Sequence, residues 1–259
     1  MTTSPLAPAS HPDQPVVRMH GYGSTATTEV KLYCFPHAGG AAPFYRSWPM
    51  LLPPGVELRA VQLPGRQDLA GAPAFTDLDS LARAAADAVA EDAQGLPFAF
   101  FGHSMGALTA FETARELRRR DLAQPVLLGL SAHSAPHLDK ALPPQPPVSD
   151  QELLDQVTSW GGIPADVLRS PELLEIVLPV LRADFTAIAT YQHTPEPPLD
   201  SPFALFGGTS DAMVSEEALD AWRQYSSGPV TVEHFSGDHF YLTRWSSRIL
   251  ATICSRLGR

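Results

Sequence analysis

Gly102-His103-Ser104-Met105-Gly106 sets a hydroxyl between two small residues, after the apolar run Phe98 to Phe101 and before a helical pattern. A G-x-S-x-G pentapeptide between a strand and a helix reads as a nucleophile elbow: a strained turn that lifts the serine Oγ above the sheet edge. The glycines let neighbouring backbone pass, and the helix N-terminus behind the serine favours developing negative charge. The pentapeptide alone would equally suit a glycine-rich turn whose serine caps a helix; the flanking strand and helix argue for chemistry at a carbonyl.

A serine hydroxyl attacks only if a base takes its proton and an acid holds that base in one tautomer. With this elbow the chain order is serine, then acid, then histidine. Asp211 lies in Gly207-Gly208-Thr209-Ser210-Asp211, just past the late apolar run Phe203 to Phe206. The carboxyl end of a strand is where open α/β sheets build sites. Asp211 is therefore preferred to Asp184 and Asp200, which fall in or beside an insertion. Of nine histidines, His239 in Ser236-Gly237-Asp238-His239-Phe240 occupies a turn between the last strand and last helix, whereas His234 sits inside a strand pattern. His239 is the candidate base. The oxyanion needs two backbone N–H donors: Met105, which follows the nucleophile, and the loop Pro36-His37-Ala38-Gly39-Gly40, where Ala38 is the candidate.

Other reactive residue types are set aside. His133 and His137 have helical metal-pair spacing, but Pro136 breaks the helix and no third ligand is near, so zinc is not expected. Cys34 lies inside an apolar run and reads as core. Arg115, Arg118, Arg119 and Arg120 close the helix after the serine, where basic residues suit the dipole; a docking patch for an acidic partner is the alternative.

These side chains need a frame. Val30–Phe35, Val56–Leu63, Phe98–Phe101, Val126–Leu130, Phe203–Phe206 and Val230–Phe235 are apolar on both faces, as strands covered by helices are. Helical patterns over Leu78–Ala90, Ala107–Arg120, Glu216–Tyr225 and Tyr241–Leu257 alternate with them. The alternation predicts a mostly parallel sheet flanked by helices. Twelve of the 26 prolines fall between Pro136 and Pro202 and bracket an insertion of about 138–200. Within it Ser149-Asp150-Gln151-Glu152 has capping-box form, Ser170-Pro171 marks a second helix start, and apolar residues from Leu173 to Ile188 recur at helical spacing. A helical piece hinged over a sheet reads as a lid. Residues 1–28 are expected to be a flexible tail and 29–259 a single domain.

The 259 residues, 44% hydrophobic, suffice for a sizeable core. A net charge of −10 argues against gripping nucleic acid or anionic lipid. Two cysteines exclude a disulfide scaffold. The first fifteen residues lack the basic start and apolar run of a signal peptide, and no window reaches the ~20 apolar residues of a membrane span. The expectation is a cytoplasmic protein.

Four motifs together resemble one family: Phe35-Pro36-His37-Ala38-Gly39-Gly40, Leu63-Pro64-Gly65-Arg66, Gly102-His103-Ser104-Met105-Gly106-Ala107, and Gly237-Asp238-His239-Phe240. The insertion agrees in Gly161-Gly162-Ile163-Pro164 and Leu181-Arg182-Ala183-Asp184-Phe185. From Val30 to Ile253 the chain is similar to type II thioesterases of polyketide and non-ribosomal peptide pathways, within the α/β-hydrolases. One departure is Leu69, where the family's Leu-Pro-Gly-Arg motif continues to a second basic residue. The resemblance implies hydrolysis of acyl thioesters on the phosphopantetheine arm of acyl or peptidyl carrier proteins, to clear stalled or wrongly primed groups. It places the catalytic residues at Ser104, Asp211 and His239 and calls for no metal or diffusible cofactor. Rival readings with the same residues are a carboxylesterase of small esters and acyl transfer to another acceptor; a carrier-binding module without turnover would not need all three.

Overall fold

The computed structural model describes residues 16–22, 27–138, 149–163 and 165–259. Its frame is a seven-stranded sheet: β1 (Arg18–Tyr22), β2 (Val30–Phe35), β3 (Val56–Gln62), β4 (Phe98–His103), β5 (Leu128–Ser131), β6 (Phe203–Gly208) and β7 (Val230–Phe235). The order is β1-β3-β2-β4-β5-β6-β7, with β1 antiparallel to β3 and every other pairing parallel. From β2 the chain winds outward to β3, then returns to the other side of β2 as β4 and continues away. The winding reverses between β2 and β4, whose carboxyl ends are adjacent with Phe35 opposite Gly102. Crevices at such switch points are where open α/β sheets bind ligands.

Both faces of the sheet are buried because alternate residues of each strand point to opposite sides. Tyr33, Phe35, Phe98, Phe100, Leu128, Leu130, Phe203 and Leu205 pack on one side with α1 (Leu78–Ala93) and α2 (Met105–Arg119). Leu32, Cys34, Ala99, Phe101, Ala204 and Phe206 pack on the other, under the C-terminal helix Leu242–Arg256. Cys34 is wholly buried, and burial pushes its thiol pKa well up, away from any nucleophilic role.

The insertion contains three helices: α3 (Asp150–Ser159), α4 (Ala165–Leu168) and α5 (Pro171–Thr190). The expected capping box forms at α3, where Ser149 Oγ accepts from Glu152 N and Glu152 from Ser149 N. Ser170 caps α5 with Pro171 in its first turn. Pro164 and residues 139–148, part of the expected lid, lie outside the described residues, as do residues 1–15 of the expected tail.

Two expectations need correction. The stretch assigned to a flexible tail contains β1, held by ladder bonds to β3 and by Met19 and Tyr22, partly buried against the core. The helix expected over Glu216–Tyr225 is α6 (Glu216–Asp220) followed by a tighter turn, Ala221–Tyr225, in which Trp222 is buried and its Nε1–H donates to the His133 carbonyl at 2.7 Å. The C-terminal helix is α7 (Leu242–Arg256). Among the described residues no helix is long and apolar enough to cross a membrane.

Candidate active site

Ser104 follows β4 directly and has φ +55°, ψ −123°, a region that non-glycine residues seldom occupy. Neighbouring backbone enforces the turn. A Cβ on Gly102 would run into the Gly106 carbonyl, and one on Gly106 into the Phe35 carbonyl, so both flanking positions demand glycine. Ser104 N–H donates to the Ser131 carbonyl at 2.8 Å, tying the elbow to β5. Met105 opens α2, so its N–H belongs to the orphan donors of the first turn.

Two other strand ends bring the remaining groups. His239 Nε2 lies 2.9 Å from Ser104 Oγ, and His239 Nδ1 lies 2.8 Å from Asp211 Oδ2. Asp211 follows β6 and its side chain is 1% exposed; its Oδ1 accepts from Met213 N at 2.9 Å, which fixes the carboxylate plane. A buried carboxylate, an imidazole and a hydroxyl thus stand in line over 135 residues of chain. This geometry can take a proton from Oγ while the carboxylate steadies the imidazolium.

Rival residues are placed elsewhere. Asp184 pairs with Arg66, Asp200 accepts from Ser227 Oγ at 2.7 Å, and His234 is exposed on β7. The arginines closing α2 are engaged within the protein. Arg115, Arg118 and Arg119 converge on Glu196, at 2.9, 2.6 and 2.7 Å, and Arg120 meets Asp87 at 2.6 Å. Burial raises the pKa of Glu196, but hydrogen bonds from Arg119, Arg118 and Arg115 outweigh it and bring it down to about 2. The cluster ties α2 to the segment returning from α5. Among the described residues no group of three or more His, Cys, Asp or Glu could hold a metal ion.

Two buried histidines beside His239 went unremarked in the sequence. His103, whose ring centroid is 5.2 Å from that of His239, has Nδ1 2.8 Å from Ser131 Oγ, itself 2.7 Å from Tyr241 OH. His37 packs edge-on against Phe44 and Phe240. Burial lowers the pKa of both, and the nearby His239 lowers them further: His103 to well below the usual range, His37 to about 3. Both are thereby held in the neutral form and place no competing charge beside His239. Both stand within the motifs already quoted, but only burial reveals their state.

Two clefts meet at Ser104. The larger is lined mostly by apolar groups including Leu108, Ala135, Leu138, Ile188 and Val214. The smaller runs past His37, Ala38, Val157, Trp160 and Phe240. Ile188 of α5 borders both, so the insertion roofs the serine.

A mostly parallel sheet with a switch-point crevice, a serine on the strained turn after β4 and a helical insertion define an α/β-hydrolase fold. Residues 30–257 match the family model described as "Thioesterase domain". The chain is 34% identical over 235 residues to the gramicidin S biosynthesis protein GrsT of Aneurinibacillus migulanus, covering 90% of each. It is 38% identical over 215 residues to thioesterase PikA5 of Streptomyces venezuelae, covering 82% of this chain and 75% of that one. Among solved structures, RedJ, a thioesterase from the prodiginine pathway of Streptomyces coelicolor, superposes with a TM-score of 0.85 at 34% identity over 96% of both chains. The chain belongs to the thioesterase domain family and is an enzyme that hydrolyses thioesters.

Proposed function

We propose that this enzyme releases acyl groups from the phosphopantetheine arm of acyl or peptidyl carrier proteins, editing a polyketide or non-ribosomal peptide assembly line in the cytoplasm, through an acyl-enzyme on Ser104. The observation that carries the mechanism is the line Asp211–His239–Ser104 ending at the junction of two clefts. His239 takes the Ser104 proton as Oγ adds to the thioester carbonyl, and Asp211 holds the ring. The Ala38 and Met105 N–H groups receive the oxyanion. The tetrahedral intermediate collapses, the C–S bond breaks and the pantetheine thiol departs with its proton. Water deprotonated by His239 then releases the acid and restores Ser104. A thiolate leaves more readily than an alkoxide, so this step asks little of His239 as an acid. The larger apolar cleft suits the acyl chain and the smaller one the pantetheine arm.

The test follows one short acyl group presented on a phosphopantetheinylated carrier protein, on a small thiol and as an oxygen ester, with Ser104→Ala alongside. Fastest turnover on the carrier, lost in the variant, is expected. Equal turnover of the oxygen ester would point to a general esterase, and carrier binding without turnover to a binding module.

A further inference from the structure

The loop that offers Ala38 to the oxyanion is closed by one bond of its own, Gly40 N–H to the His37 carbonyl at 2.9 Å, and a charged pair beneath it reaches in from two distant elements. Asp184 of α5 lies 118 residues from Arg66, yet Arg66 Nη1 and Nη2 donate to its two carboxylate oxygens at 2.7 Å each. Both side chains are buried, at 6% and 4% exposure. The fork is not spent on the carboxylate alone. Arg66 Nη1 also donates to the Gly40 carbonyl at 3.1 Å, and Gly39 N–H donates to Asp184 Oδ2 at 2.7 Å. The loop is thus gripped at two successive residues, on its donor side by Asp184 and on its acceptor side by Arg66. Gln62 supports the far end, its Oε1 accepting from Ala42 N at 3.1 Å.

Packing adds to the grip. Gly39 has φ +76°, and a Cβ there would come within 2.5 Å of Leu181 Cδ2, one turn before Asp184 on the same helix. The positive φ favours glycine here, and any larger residue would also have to push the Leu181 side chain aside. One turn after Asp184, Ile188 borders both clefts. The helix that roofs the site therefore also holds its oxyanion loop.

We propose that Arg66 and Asp184 are positioning residues through which α5 sets the oxyanion loop for catalysis. Asp184 takes the Gly39 N–H and, together with the Gly40-to-His37 turn bond, fixes the 38–39 peptide plane, and with it the torsion at Ala38 that aims the preceding N–H. Gly39 is thereby removed as a donor to substrate and Ala38 is selected. Preorganised donors stabilise developing charge because they need not reorient during reaction. Losing the grip costs transition-state stabilisation and leaves ground-state binding alone. The inference rests on Ser104 being the nucleophile and Ala38 an oxyanion donor.

Three probes carrying the same butyryl chain test it: the N-acetylcysteamine thioester as substrate, a trifluoromethyl ketone that adds Ser104 to form a tetrahedral oxyanion, and a thioether that mimics only the ground state. Asp184→Asn is expected to lower kcat by about 10–100-fold with little change in KM, since one oxyanion donor is worth about 10²–10³. Ketone affinity should fall in step with kcat/KM while thioether affinity holds. Arg66→Lys, which keeps the charge but not the fork, should show an intermediate loss. Should Asp184→Asn fail to fold around an unpaired arginine, the double variant Arg66→Met/Asp184→Leu removes the pair while filling its space. It should melt near the wild type and still show the kcat loss. Wild-type kcat in a folded variant, or equal loss of affinity for ketone and thioether, overturns the inference. Turnover by Ser104→Ala would overturn the nucleophile assignment and this inference with it, and that failure is told apart because it appears in an otherwise unaltered loop.

Discussion

The sheet edge and the roof above it hold the same site by different means. At the edge, backbone does the holding. Ser104 is lifted by a strained turn whose flanking glycines touch carbonyls of β2 and α2, while Asp211 and His239 leave strands locked in one register. Beneath lie two wholly buried layers of aromatic and branched residues. The roof has a core of five buried residues, Leu153, Val157, Ile163, Leu181 and Phe185, and the Arg66–Asp184 pair. The first half of α5 even leaves Leu173 and Ile176 in solvent. On the proposed reading, the chemistry sits on the stiff region and the roof that would let substrate in sits on the weakly packed one.

The contrast can be broken by experiment. The largest effect belongs to the edge: Ser104→Ala should lower kcat by about 10⁴–10⁶ with the fold intact by circular dichroism. Asp211→Asn, which leaves His239 in the wrong tautomer, should cost about 10⁴ in kcat in the same steady-state assay. Next, Phe101→Ala in the sheet core should lower unfolding free energy by about 3–5 kcal/mol in urea. Leu153→Ala should instead leave the main transition nearly in place and show as faster hydrogen exchange in α3 and α5. Equal effects of the two substitutions would mean that roof and sheet unfold as one unit, and the distinction would fall.

A smaller effect concerns the neutral histidines. His37 and His103 have pKa values below that of an unfolded histidine, so on acidification the unfolded chain takes up protons that the native state refuses. Stability is then full above about pH 6.5 and falls as the pH drops below it, until the native groups protonate, near pH 3 for His37. Differential scanning calorimetry from about pH 7.5 to about pH 5 should show Tm falling; a flat profile would mean these imidazoles are not held neutral. The smallest effect is expected at Arg118→Ala, because Glu196 still has Arg115 and Arg119. Stability should change by about 0.5 kcal/mol or less. A KM raised about tenfold on carrier-borne substrate alone would make Arg118 a docking residue instead.

Much of this was legible along the chain. The β-branched and aromatic run Val30–Phe35 and the strand Val230–Phe235 end where the sequence places them. The capping box at Ser149 forms as spelled. Edge strand β1 was not legible, since Arg18-Met19-His20-Gly21-Tyr22 offers the core only Met19 and Tyr22, on opposite faces, and otherwise leans on the backbone of β3. The helix after Ser215 tightens at Ala221 because Trp222 is drawn to a carbonyl 89 residues away, which no local propensity encodes.

Residue types and short spacings by themselves determined the nucleophile candidate, its acid and base, and the alternation of strand and helix, because each depends on contacts within a few residues or on a fixed strand-end position. Tertiary structure alone decided what surrounds them. The reversal of winding between β2 and β4 put the Ala38 loop beside Ser104. Burial made His37 and His103 neutral, and folding brought Asp184 under Gly39. The cost of burying a charge, and so the need for its partner, depends on everything packed around it, and that is known only once distant segments have met.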